Sequence, residues 1–299
     1  MPITSRPSLW RSSDAESREW TQLNEACGVK DGGRQSPIAL ESENFSNFFL
    51  SHDPLHYFNY YYFDSFGPAK YVVRNTGTTV MFTPEGGKIP QLTGNGLSGR
   101  YILAQFHFHW GSDASKGSEH TIDGERFPLE MHMVFYNAEF SSLTQAVESR
   151  RFDAITMAEK EAEGKAWRKL EEGLRRVKEP GEAQISGFPL RWLIPKYVAS
   201  GPFFRYDGSL TTPPCSENVR FTVFKTTAPI SARTMRRFRK LSNKEGRSLV
   251  DNFRNLQPSN GRIIVETSQK YGKGDEDDED RSENSSSSEN LGAAVFNFS

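Results

Sequence analysis

Residues 105–111 read QFHFHWG, two imidazoles set two apart inside an aromatic run. Side chains of a β-strand alternate between its faces, so His107 and His109 look one way while Phe106, Phe108 and Trp110 look the other. That pair is half of a metal site. Residues 129–136, LEMHMVFY, alternate in the same way: Glu130, His132, Val134 and Tyr136 share one face, and Leu129, Met131, Met133 and Phe135 share the opposite one. One imidazole from this neighbouring strand completes a three-histidine set. Three neutral nitrogens around zinc leave its fourth tetrahedral position open, the arrangement of catalytic rather than structural sites.

An HxH pair in an aromatic strand has a competing reading, two core or edge histidines whose hydrogen bonds are satisfied. The flanking residues weigh against it. Gln105 lies two before His107 and Glu130 two before His132, so each can share a ligand's face and accept its N–H, which fixes tautomer and ring orientation. The chain has six histidines, and half of them fall in this constellation.

The rest of the chain reads as sheet. Short aromatic or β-branched runs at 55–63, 70–75, 78–82 and 99–110 are separated by Gly, Pro and Asn clusters. The 22 Phe, 16 Pro and 24 Gly suit many short strands joined by tight turns. With 299 residues the chain can form one large domain or two, and length does not choose. Residues 117–124 (GSEHTIDG) form a loop carrying Glu119 and His120. Beyond 140 the pattern changes to a short helix at 141–148 and a longer one at 165–178, where Trp167, Leu170, Leu174 and Val177 recur at helical spacing. Between them 153–164 (DAITMAEKEAEG) is too polar for a buried strand. Sheet returns around the loop 206–214 (YDGSLTTPP) and at 219–225 and 262–266.

No apolar run approaches the ~18 residues of a membrane helix, which predicts a soluble protein without a membrane span. The first twenty residues lack the apolar middle of a signal peptide, so the chain is cytosolic or its leader is missing from this sequence; Trp10 and Trp20 would anchor that polar segment to the body. Residues 271–299 hold eight acidic and two basic residues, leaving 35 basic against 30 acidic before them. So mild an excess does not imply nucleic acid, and the basic run at 235–240 reads as a solvated helix face. From 272 the sequence is acidic, Ser-rich and low in complexity, hence disordered. Cys27 and Cys215 match no zinc-ribbon spacing, and spacing alone leaves open whether they are two unpaired buried thiols or a pair.

The motifs RQSPI from Arg34, QFHFHWG from Gln105, GSEHT from Gly117, LEMHMV from Leu129, SLTTPP from Ser209, FRKL from Phe238 and VDNFR from Val250 resemble, in order, those of the α-class carbonic anhydrases. The likeness runs roughly from Trp10 to Glu266. It implies one mainly β (α+β) domain over 1–270, a large twisted, mostly antiparallel sheet of about ten strands with a few surface helices, followed by a disordered tail. It also implies Zn2+ as cofactor and reversible hydration of carbon dioxide to bicarbonate by zinc-bound hydroxide. By position the ligands are His107, His109 and His132, with Gln105 and Glu130 as acceptors and Asn252 as the residue whose backbone carbonyl receives the third ligand's N–H. Thr211 resembles the threonine that donates to Glu119 and orients the nucleophile. Leu210, Val134 and Ile155 resemble the walls of the carbon dioxide pocket, and Thr212 lies beside the metal. Secreted relatives pair cysteines at the positions of Cys27 and Cys215, which implies a disulfide and an extracellular protein, with the cytoplasm as the alternative.

Three departures stand out. Thr78 occupies the position of the family's proton-carrying histidine, and Phe221 replaces a tryptophan near the substrate. Most of all, 151–164 replaces a nearly continuous apolar central strand, keeping only Ala154, Ile155 and Met157 before turning to charge. That segment is expected to leave the sheet after Met157 and extend the following helix, or to mark an altered exon. The alternative function is a weak or inert carbonic-anhydrase-like module that binds a partner or mineral, with calcium or a basic partner at the acidic tail. Inert relatives usually lack a ligand histidine, and this chain keeps all three.

Overall fold

The structure is a computed structural model that describes residues 20–22, 24–28, 30–42, 58–64, 67–94, 96–149, 154–157, 165–193, 199, 201–267 and 292–297. Its strands are β1 (Ala39–Leu40), β2 (Phe58–Tyr61), β3 (Pro68–Asn75), β4 (Val80–Gly87), β5 (Gln91–Gly94), β6 (Tyr101–Trp110) and β7 (Thr121–Ile122). There follow β8 (Leu129–Asn137), β9 (Ala154–Met157), β10 (Gly181–Ser186), β11 (Phe203–Gly208), β12 (Val219–Ile230), β13 (Ile264–Glu266) and β14 (Gly292–Asn297). The helices α1 (Leu143–Glu148), α2 (Lys165–Arg176) and α3 (Ala232–Phe238) interrupt them.

Twelve strands make one sheet in the order β10-β3-β4-β6-β8-β14-β12-β11-β13, with β2 on β5, β5 on β6, and β9 on both β8 and β12. The pairings within this sheet are antiparallel except β8 with β14 and β9 with β12. Alternation along β6 and β8 produces the two sides of the sheet at its centre. One side carries Phe106, Phe108, Trp110, Met131, Met133 and Phe135 into the main core. There the Phe82 and Phe106 rings stack at 4.9 Å. The α2 stripe predicted from helical spacing, Trp167, Leu170, Leu174 and Val177, is buried against the same side. Its approach is close: a Cβ on Gly173 would stand 2.9 Å from the Phe82 ring, so the helix needs a glycine there to lie on the sheet. The other side carries the histidines.

The segment read as too polar for a buried strand still contributes β9, a four-residue strand that ends at Met157, the point where the chain was expected to leave the sheet; 158–164 lie outside the described residues. Another expectation changes. The tail 271–299 is not disordered throughout, because 292–297 form β14 between β8 and β12. The run GAAVFN lacks charge and holds two strand-favouring residues, Val295 and Phe296, a signal that the neighbouring acidic stretch obscures when composition is averaged over the whole tail. Trp20 is buried, and Trp10 lies outside the described residues, as do 271–290.

Candidate metal centre

β6 and β8 pair so that His107 stands opposite His132 and His109 opposite Glu130. One nitrogen from each of His107, His109 and His132 falls within a single cluster 4.8 Å across. The second nitrogen of each ring is held by a different acceptor. Gln105 Oε1 accepts from His107 Nδ1 at 3.0 Å, the Asn252 carbonyl from His109 Nδ1 at 2.7 Å, and Glu130 Oε1 from His132 Nε2 at 2.6 Å. Asn252 thus serves the ligand position that neither Gln105 nor Glu130 serves. Its side chain fastens the surroundings, with Oδ1 accepting from Trp110 N at 2.7 Å and Nδ2 donating to the Thr78 carbonyl at 2.9 Å.

Burial, reinforced by His132 and His109, holds His107 well below the usual imidazole range. Burial also takes His109 down to about 4 and His132 to about 3. All three are therefore neutral at pH 7, the form that ligates metal. His132 Nδ1 is buried with no hydrogen bond, a costly state for a polar atom that a metal relieves. Three convergent neutral nitrogens with outer acceptors fit zinc with an open position. His120, Glu130 and His132 also stand close together. There, however, both His120 nitrogens already face polar partners, Glu130 Oε1 at 3.1 Å and Tyr206 Oη at 2.6 Å.

Glu119 is fully buried beside this cluster, Oε2 3.4 Å from His109 Nε2. Its Oε1 accepts from Arg254 N at 2.8 Å. Burial pushes the Glu119 carboxyl up, opposed by His109, the Arg254 N–H and a hydrogen bond from Thr211. Thr211 is buried, and Thr212 follows it in the loop after β11. Val134 is buried on β8, and Leu210 packs on the apolar cluster that contains Phe221. The Phe221 ring stands 6.3 Å from the His132 ring and stacks on Tyr206 at 4.9 Å. The backbone of Ile155 is paired on β9; its side chain lies outside the described residues. Thr78 has its hydroxyl 2.9 Å from that of Thr76.

Sequence reading missed the groups that lock Glu119 and Glu130 in place. Arg254 is buried, and its guanidinium donates to Gln35 Oε1, Ser36 O and Cys27 O at 2.8–2.9 Å. Tyr206 Oη reaches Ser36 Oγ at 3.0 Å. Arg254 and Ser36 are signalled only by their place inside the VDNFR and RQSPI motifs and Tyr206 by none, since each partner is far away in sequence. Cys27 and Cys215 form a disulfide packed with Trp20, tying the N-terminal segment to the loop that carries Thr211.

A model of the eukaryotic-type carbonic anhydrases matches residues 15–268. Carbonic anhydrase 15 of Mus musculus is 33% identical over 258 residues, covering 82% of this chain and 78% of that protein. Carbonic anhydrase 7 of Homo sapiens is 40% identical over 181 residues, 58% of this chain and 67% of the relative. Carbonic anhydrase 3 of Rattus norvegicus is 32% identical over 244 residues, 79% and 90% of the two chains. With that match over residues 15–268 and relatives alike over most of both chains, this chain, whose β-sheet bears a three-histidine cluster with its own acceptors, belongs to the eukaryotic-type carbonic anhydrase family, the carbonate dehydratases among the lyases.

Proposed function

We propose that this chain binds zinc through His107, His109 and His132 and interconverts carbon dioxide and bicarbonate. The convergence of three neutral nitrogens, each backed by a separate acceptor, carries the reading. Bound zinc supplies a Lewis acid that brings the pKa of water to about 7, a figure established on carbonic anhydrase itself.

The residues around it supply direction. With its proton committed to Glu119, the Thr211 hydroxyl can only accept from the site, which turns the attacking lone pair toward the substrate carbon. Glu119 is held to accept that hydrogen bond by Arg254 N, which donates to its Oε1 at 2.8 Å. Val134, Leu210 and Phe221 offer an apolar wall for an uncharged substrate, with Ile155 and Thr212 assigned to the same pocket. The disulfide supports an oxidising, extracellular setting.

Purified protein is expected to carry about one zinc per chain, the content set by three ligands and one open position, and to hydrate carbon dioxide in a manner blocked by an aromatic sulfonamide. A folded, zinc-loaded protein with no hydration would instead favour the inert module. Thr78 has no pKa near neutrality, so each proton must leave through buffer. Thr78→His is expected to raise turnover in dilute buffer, by up to about 10²-fold, and to flatten its dependence on added imidazole. Fast turnover in dilute buffer that the substitution does not change would mean another group exports the proton.

A further inference from the structure

The strand that bears His132 is backed by two separate pieces of chain. On the flank away from β6, Met133–Tyr136 pair with β9, antiparallel. Glu130, Met131 and His132 pair instead with Val295, Phe296 and Asn297 of β14, parallel. The same division holds across the gap on β12, where Val219, Arg220 and Phe221 pair with β9. Val223, Phe224 and 228–230 pair with β14. Two half-strands running toward each other thus fill one slot, and they meet where Met157 stands opposite Met133 and Asn297 opposite His132.

The chemistry of the sequence explains the division. After Met157 the chain continues AEKEAEG, with charges at Glu159, Lys160, Glu161 and Glu163. The flanking Glu130, Met131, His132, Val223 and Phe224 are all buried, so this stretch would bring unpaired charge into a dry sheet. An empty slot would leave a row of backbone N–H and C=O groups unpaired in the middle of the sheet. GAAVFN carries no charge and fills it. Addition of an extended segment to an open strand edge is an established mode of recognition, here served by a segment of the same chain.

We infer that residues 292–297 are an internal complementing strand that replaces the lost half of the central strand and positions His132, so that zinc retention depends on the last residues of the tail and not on its acidic stretch. The inference rests on the zinc reading for its metal readout alone; amide exchange tests it independently.

Phe296 is paired on both sides, and proline there removes a donor from a central strand, where proline is not tolerated. Full-length Phe296→Pro is expected to bind zinc about tenfold more weakly or worse in chelator competition, the range for loss of a ligand's support. Amides of 130–132 should lose hydrogen-exchange protection while those of β3 and β4 keep theirs. Phe296→Val, which keeps the N–H, should behave like the parent, and a synthetic 290–299 peptide should restore zinc affinity and protection to the proline variant in a saturable way. Replacing 275–289 by an uncharged Gly/Ser linker of equal length should change neither. Parental zinc affinity and protection in Phe296→Pro overturn the inference, as does a loss, including outright unfolding, that the peptide does not reverse. Lost 130–132 protection in a protein that never bound zinc would sink the zinc reading and leave the strand assignment standing.

Discussion

Substituting Glu130 by glutamine is expected to weaken zinc binding by about 10- to 100-fold, the usual cost of removing a ligand's outer partner, without unfolding the chain. One carboxylate serves four groups here. Oε2 accepts from the backbone N–H of Glu119 at 2.9 Å and of His120 at 3.0 Å, and Oε1 faces His132 Nε2 and His120 Nδ1. Glutamine has one oxygen and one amide, so one end must point donors at donors. If the amide meets the two backbone N–H groups, buried donors go unmatched at about 1–3 kcal/mol each, and the loop that carries Glu119 shifts. If it meets the imidazoles, His132 is driven to the tautomer with its proton on Nδ1, the atom needed for the metal. Chelator competition measures the loss, and nitrogen NMR of metal-free protein reports the tautomer. Unchanged affinity together with an unchanged His132 tautomer would show that Glu130 is not what orients the ring.

Removing the disulfide should have the largest effect on stability. The Cys27–Cys215 bond spans a sequence separation of 188 residues, and a loop that long restricts the unfolded chain by about 5 kcal/mol in the chain-entropy treatment. That is comparable with the whole margin of a domain at its low end, about 5–15 kcal/mol. A Cys27→Ala/Cys215→Ala double variant is therefore expected to unfold at a markedly lower denaturant concentration, and the parent to do the same once reduced. The Cys27 carbonyl accepts from Arg254, whose own N–H holds Glu119, so loosening should reach the metal centre as well. A midpoint indifferent to reductant and to the substitutions would mean that the bond adds nothing to the fold.

The three-histidine cluster was largely legible because its spacing obeys a strand's two-residue period. His107, His109 and His132, with Gln105 and Glu130 two positions before ligands, are assigned by local pattern alone, and the pairing of β6 with β8 brings them together. Long-range partners were legible only through family resemblance: Asn252, Thr211 and the two cysteines have no local signature. Arg254 and the His120–Tyr206–Ser36 chain went unseen, since a buried cation held by carbonyls far along the sequence leaves no periodic trace. The polar 153–164 segment was recognised as unfit for a central strand, but its replacement was not. A six-residue apolar run after a long acidic stretch looks like the end of a disordered tail until a vacant slot is known.

The position of β14 bears on how the molecule is made. Its partners on β8, residues 130–132, are made long before residues 295–297. Domains usually fold as units while synthesis proceeds from the N-terminus. β8 and β12 both precede β14 in the chain, so their facing edges stand open until it is made, exposed to other nascent chains. The centre of the sheet is thus among the later parts of the molecule to take its final form.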